Sequence, residues 1–447
     1  MAITKGKPYQ RNRTAIQLYV INLEKRVDRL GHISRELVKK REFKFKVVKA
    51  VEYPIGAIGL WKTINQIINS ACNSEKDLVI ICEDDHTFTS DYSEALLLNV
   101  IENAKEIDAD ILLGGVSWFT NCVPITEHLY WVEKFSGLQF AVIFRKFYDT
   151  ILNTTFYAGD AADYRISALS DKIYFIFPFI SIQKEFGYSD VTTKNNETNR
   201  VETLFKDSAE RVKAVDQVIQ SYKERMTLVR HGDVGIGETE GISISTYILS
   251  PIIGEKKNSD ITCQFDDKEE FDIQFIESHT HSNYEIAYWL SLQNIVRQAI
   301  FNEDDVIVIC ESDHQFTEFY VRERFVRQII DLNNLGLELL CGGVDDFDMA
   351  VPITKDKFWI GAFKSASFLV LYRSVFGKIL ETSFNEQSTR ESLFRELTSN
   401  KMLLFPFISR RKEFYNPSLS NEKLTSSELV ISRLEKIRDV ASSSGLI

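Results

Sequence analysis

This chain lacks the features that would mark a secreted scaffold, a membrane protein or a polyanion binder. Its 447 residues include six cysteines, Cys72, Cys82, Cys122, Cys263, Cys310 and Cys341, and none forms a CxxC pair or a zinc-binding spacing. That argues against a disulfide framework or a zinc module, and Cys82 and Cys310, equivalent positions at the ends of apolar runs, are expected as buried thiols in a reducing cytoplasm. There is no run of 18 apolar residues, so no transmembrane helix is expected. A cationic surplus is missing too. The net charge is −11, which argues against nonspecific nucleic-acid binding, because that needs clustered Lys and Arg to neutralise phosphates. Lys5, Lys7, Arg11 and Arg13 make the first residues basic, but no apolar segment follows them. No signal peptide is expected. The arm reads as a solvated terminus or as a peripheral contact with the inner, anionic face of a membrane.

What is present is written twice. Val79-Ile-Ile-Cys-Glu83-Asp84-Asp85-His86-Thr-Phe-Thr89 returns as Ile307-Val-Ile-Cys-Glu311-Ser312-Asp313-His314-Gln-Phe-Thr317, an offset of 228. The same offset maps Gly114-Gly115 onto Gly342-Gly343, Val123-Pro124-Ile125-Thr126 onto Val351-Pro352-Ile353-Thr354, and Phe177-Pro178-Phe179 onto Phe405-Pro406-Phe407. A period that long belongs to a tandem domain, not a solenoid. The expected organisation is a first domain over 14–229, a linker over 230–241 and a second domain over 242–447. Each is long enough to bury its own core.

Within one copy, strands and helices alternate. Apolar strands are expected at 15–23, 45–51, 77–82, 109–114, 140–144 and 173–177. Helices are expected at 25–40, 60–71, 92–104 and 147–152, the second with Leu60, Ile64, Ile67, Ile68 and Ala71 on one face. A helix over 202–226 follows the first copy and one over 426–440 the second. The alternation predicts an α/β fold, two tandem Rossmann-like domains each with a largely parallel sheet. In such sheets ligands gather at the carboxyl ends of the strands. Glu83-Asp84-Asp85 stands at one of those ends. Three adjacent acids are either a solvated loop or a site for a hard divalent cation, whose charge would relieve their mutual repulsion.

The stretch Ile21-Asn22-Leu23-Glu24-Lys25-Arg26-Val27-Asp28-Arg29, followed by Gly56-Ala-Ile-Gly59 and then Glu83-Asp84-Asp85, resembles the motif series of glycosyltransferase family 25. These are lipopolysaccharide-type sugar transferases. The resemblance covers residues 16 to about 190 and, more weakly, 244 to about 418. One departure is that Leu60-Trp61-Lys62-Thr63-Ile64 stands where the family has Cys-x-x-Ser-His. The resemblance implies a GT-A fold, a Mn²⁺ or Mg²⁺ ion, a nucleotide-sugar donor of the UDP-hexose kind, a glycan acceptor and inversion at the anomeric carbon. It implies that Glu83 and Asp85 hold the metal and that Asp84 meets metal or ribose. Asn22, Arg26, Asp28 and Arg29 would line the nucleotide side. The general base would be Asp163, with Asp160 as rival. His86 is either a ligand or a packing residue, and Trp118 and Trp131 either stack on a sugar or pack internally.

The second copy serves as a control. At the offset, Asn22 becomes Ser250, Arg26 Gly254, Asp28 Lys256 and Arg29 Lys257. Gly56 and Gly59 become Tyr284 and Ala287, and Asp84 becomes Ser312, while Glu311 and Asp313 remain. Asp160 and Asp163 become Ser388 and Glu391. The expectation is an active first domain and a degenerate, accessory second one. Two alternatives stay open: a bifunctional transferase, and a non-enzymatic glycan-binding scaffold. A homo-oligomer is compatible with either.

Overall fold

The computed structural model describes residues 15–73, 76–188, 197–229, 241–250, 260–412 and 426–447. The chain divides into two compact units, 1–213 and 214–447. The division falls inside a helix, Arg200–Val229. Residues 230–240, most of the expected linker, lie outside the described residues, as do Gly254, Lys256 and Lys257.

In the first unit, β1 (Ile16–Asn22), β2 (Phe43–Lys49) and β3 (Leu78–Glu83) form the parallel half of an eight-stranded sheet. The apolar runs of β1 and β3 are what burial on both faces demands, whereas β2 is the edge strand and its alternating lysines are exposed. Leu18, Val20, Val79 and Ile80 are fully buried. Helix α1 (Val27–Leu37) links β1 to β2, and α2 (Gly56–Cys72) links β2 to β3. The apolar spacing of α2 buries Trp61, Ile64, Ile67, Ile68 and Ala71 along one face. Helix α3 (Glu94–Glu106) is capped by Ser93, whose side chain accepts from the Leu96 amide. Across the sheet, Phe140–Phe144 runs antiparallel between β3 and Ile111–Leu113, and Ile173–Ile176 is parallel to the latter. Leu129–Val132 and Cys122–Pro124 complete the sheet by antiparallel pairing. The registers leave six of the eight strands running in one direction.

The second unit repeats this sheet strand for strand, from Phe271–Glu277 to Ala350–Thr354. The α/β, Rossmann-like duplication is thus a property of the structure. Both copies also carry a small antiparallel ribbon absent from the sequence reading. His86–Phe88 pairs with Ser181–Gln183, and His314–Phe316 with Ser409–Arg411. The paired glycines permit it: a Cβ on Gly114 or Gly115 would collide with Ser181, and one on Gly343 with the Ser409 carbonyl. Trp131 is fully buried and its indole N–H donates to the Asp171 carbonyl at 2.7 Å, so it packs internally.

Candidate active site

Strand β3 ends at Glu83, and the turn that follows presents Asp84 and Asp85 before the ribbon begins at His86. The ribbon fixes this turn. The Lys184 amide donates to the Asp85 carbonyl at 2.7 Å, and His86 Nδ1 lies 2.7 Å from Ser181 Oγ. His86 is fully buried, and burial pushes its pKa down to about 3. Its ring packs against Phe88 and Phe140, with centroids 4.3 and 5.2 Å away.

Helix α1 supplies the opposing charge. Arg29 Nη1 donates to Asp84 Oδ1 at 3.2 Å and to Asp85 Oδ2 at 3.0 Å. Arg26 Nη1 lies 3.6 Å from Asp84 Oδ1. Two aromatic residues that belong to no motif cover these arginines. The Arg29 guanidinium stacks 4.8 Å from Phe186 and 4.6 Å from Tyr188, and its Nη2 donates to the Tyr188 carbonyl at 2.6 Å. Asp28 is engaged from the far side, accepting from the Tyr188 hydroxyl at 3.1 Å. Asn22 is buried at the end of β1, where its amide donates to the Leu23 carbonyl at 2.9 Å.

Two cavities open on the acidic turn. One, of about 500 Å³, lies at the carboxyl ends of β1, β2 and β3 and is lined by Leu23, Arg26, Val51, Tyr53, Glu83 and Asp84 among others. The second, of about 620 Å³, is lined by Arg26, Arg29, Glu83, Asp85, Trp118 and Asp163 among others, with Asp160 also on its wall. Arg26, Leu60 and Glu83 belong to both. Asn22 and Asp28 line neither, so they reach this site only through neighbours.

Asp163 sits in the first turn of a short helix, Ala162–Ser167. Its Oδ2 accepts from Ser136 Oγ at 2.7 Å and from the Gly137 amide at 3.3 Å. Asp160 instead accepts from the Tyr157 amide at 2.8 Å, closing its own loop. Trp118 meets Tyr164 edge to face, with centroids 6.0 Å apart on the rim of the second cavity. The structure thus gathers Arg26, Arg29, Glu83, Asp84, Asp85 and Asp163, drawn from β3, α1 and a helix 80 residues downstream of Glu83.

The acids are held at an electrostatic cost. Burial, together with the charges of Asp85, Asp84 and Asp163, pushes the Glu83 carboxyl well above its ordinary range. Burial raises Asp85 to about 6 despite Arg29. Asp84 is raised by burial as well, against the pull of Arg29 and Arg26.

Among the described residues, no three His, Cys, Asp or Glu side chains converge as a closed metal cage. The unsatisfied atoms still suit a hard cation. Asp84 Oδ2 and Asp85 Oδ1 are buried without a hydrogen-bond partner. One or two carboxylates, completed by phosphate oxygens and water, is the set that Mg²⁺ commonly takes.

No family model matches this chain, and no curated protein does. Solved structures do match. Among them is a crystal structure of apo UDP-glucose pyrophosphorylase, with a TM-score of 0.26 and 10% identity over 44% of this chain and 82% of that one. A likeness at that level carries no argument about activity.

Proposed function

We propose that the first domain is a metal-dependent inverting glycosyltransferase of the family 25 kind, moving a hexose from a UDP-sugar to a glycan acceptor. The observation that carries the reading is the meeting of two cavities at one acidic turn. A nucleotide at the carboxyl ends of β1, β2 and β3 would direct its diphosphate toward Asp84 and its sugar toward Glu83 and Asp163.

Arg26 and Arg29 already converge on the turn, and a planar guanidinium suits diphosphate oxygens. A divalent cation held by Asp85 and Glu83 would offset the charge that develops on the departing nucleotide. The remaining chemistry belongs to side chains. The acceptor hydroxyl oxygen attacks the anomeric carbon on the face opposite the diphosphate. A new C–O bond forms as the bond to phosphate breaks. Asp163 takes the hydroxyl proton, its carboxylate oriented by Ser136 and the Gly137 amide. Trp118 and Tyr164 on the rim offer apolar surface to an acceptor sugar.

The test is nucleotide release from a panel of UDP-, GDP- and CMP-sugars, with Mn²⁺ or EDTA. The expected result is release from a UDP-hexose that EDTA abolishes and Asp85→Ala removes. With acceptor present, Asp163→Asn should lower transfer about 100-fold or more. Absence of both donor binding and nucleotide release across the whole panel would sink the reading.

A further inference from the structure

We infer that the acidic site of the second domain is closed by its own arginines and takes neither a divalent cation nor a nucleotide diphosphate. This goes beyond the activity proposed for the first domain and does not depend on it.

The inference rests on what replaces the cleft wall. In the first copy Ala57, Leu60, Ser117, Ala162 and Gln183 line the cavity around Glu83 and Asp85. At the offset of 228 these become Glu285, Tyr288, Asp345, Arg390 and Arg411. Small or uncharged groups are exchanged for longer or charged ones. Their positions correspond in the fold as well as in the alignment. Glu311 ends its strand as Glu83 does, and Arg411 ends its ribbon strand as Gln183 does.

The new side chains converge on the retained acid. Arg390 Nη1 donates to Glu311 Oε1 at 2.7 Å, and Arg411 Nη2 donates to Glu311 Oε2 at 2.7 Å. Both carboxylate oxygens are taken. Arg411 also lies 3.4 Å from Asp313 Oδ2 and 3.3 Å from Asp345 Oδ2. Arg390 is held in turn by Glu285, whose Oε2 accepts its backbone amide at 2.6 Å. Its guanidinium stacks 4.6 Å from the Tyr288 ring and 5.1 Å from the Tyr284 ring. Asp313 Oδ1 lacks a hydrogen-bond partner, but Ser312 stands where Asp84 supplies a second free oxygen in the first copy, and both oxygens of Glu311 are already held. A divalent ion approaching Glu311 would have to displace an arginine and then sit beside it. A diphosphate would find both arginines already neutralised. In the first copy Arg26 and Arg29 pair with Asp84 and Asp85 and, among the described residues, no arginine contact to Glu83 is seen, whereas in the second both oxygens of the equivalent Glu311 are held by arginines.

The experiment uses the full chain and reads bound Mn²⁺ as loss of the free-ion electron paramagnetic resonance signal, with and without UDP. The Asp85→Ala chain should bind none. Bound Mn²⁺ in that chain which disappears on adding Asp313→Ala would overturn the inference. A wild-type chain that binds none would sink the activity proposed for the first domain and leave this inference standing. A second measurement asks what the cluster does for the fold. Glu311→Gln leaves two half-buried guanidinium groups short of a counter-charge, so hydrogen exchange across Val306–Glu311 should be about tenfold faster or more. Unchanged or slower exchange would mean that Glu311 is a strained functional acid after all, and would overturn the inference. If Glu311→Gln fails to fold, the Mn²⁺ arm decides alone.

Discussion

Glu83 is the residue on which the proposed activity and the stability of the first domain pull in opposite directions. It is crowded by burial and by Asp85, Asp84 and Asp163. Removing its charge should relieve that crowding, because a buried carboxylate without a full counter-charge costs more than a neutral isostere. Glu83→Gln is expected to leave thermal unfolding unchanged or to raise it by a few degrees, while donor turnover falls. A marked drop in unfolding temperature would contradict this account. A second residue-scale prediction concerns His86 and His314, both buried and both depressed to about 3 by desolvation. Between that value and the ordinary histidine range, the unfolded chain binds the proton and the folded one does not, so stability rises with pH. Lowering the pH from 7.5 to 5 should therefore cost about 2 kcal/mol per histidine. Urea unfolding at the two pH values checks this, and His314→Asn should remove the second domain's share.

At the scale of elements, the ribbon that holds the acidic turn is the structure's device for placing Asp85. It depends on the glycine pair, because the chain near Ser181 passes where a side chain would stand. Gly115→Ala is expected to destabilise the first domain by about 1–3 kcal/mol through this overpacking. It should also disturb the turn, since Ser181 holds His86 and the Lys184 amide holds Asp85. Urea unfolding measures the first effect and donor turnover the second. Long apolar strands and amphipathic helices were legible from their periods: α2 was expected from Leu60 to Ala71 and runs from Gly56 to Cys72. The ribbons and the pairs Trp118–Phe119 with Phe135–Ser136 were not legible. Two or three residues carry no period, and only the partner strand stabilises them.

For the molecule as a whole, two copies of one fold carry two different solutions to the same buried acid. Asp313→Ala is therefore expected to leave metal-dependent donor turnover within about twofold of wild type, whereas Asp85→Ala removes it. Activity lost with Asp313 and kept without Asp85 would reverse the roles of the domains.

The sequence by itself determined the duplication, the α/β class and the position of Glu83-Asp84-Asp85 at a strand end. Each is encoded locally, in a repeat, a period or a short run, and survives translation into structure because burial enforces it. Tertiary structure alone decided that Phe186 and Tyr188 cover Arg29, since they lie at the far end of the domain sequence and meet it only when the sheet is assembled. It also decided the fate of the second site. Retained Glu311 and Asp313 left a second metal site open in the sequence. Arg390 and Arg411, 79 and 100 residues away from Glu311, close it, and no local pattern announces a charge that arrives from that distance.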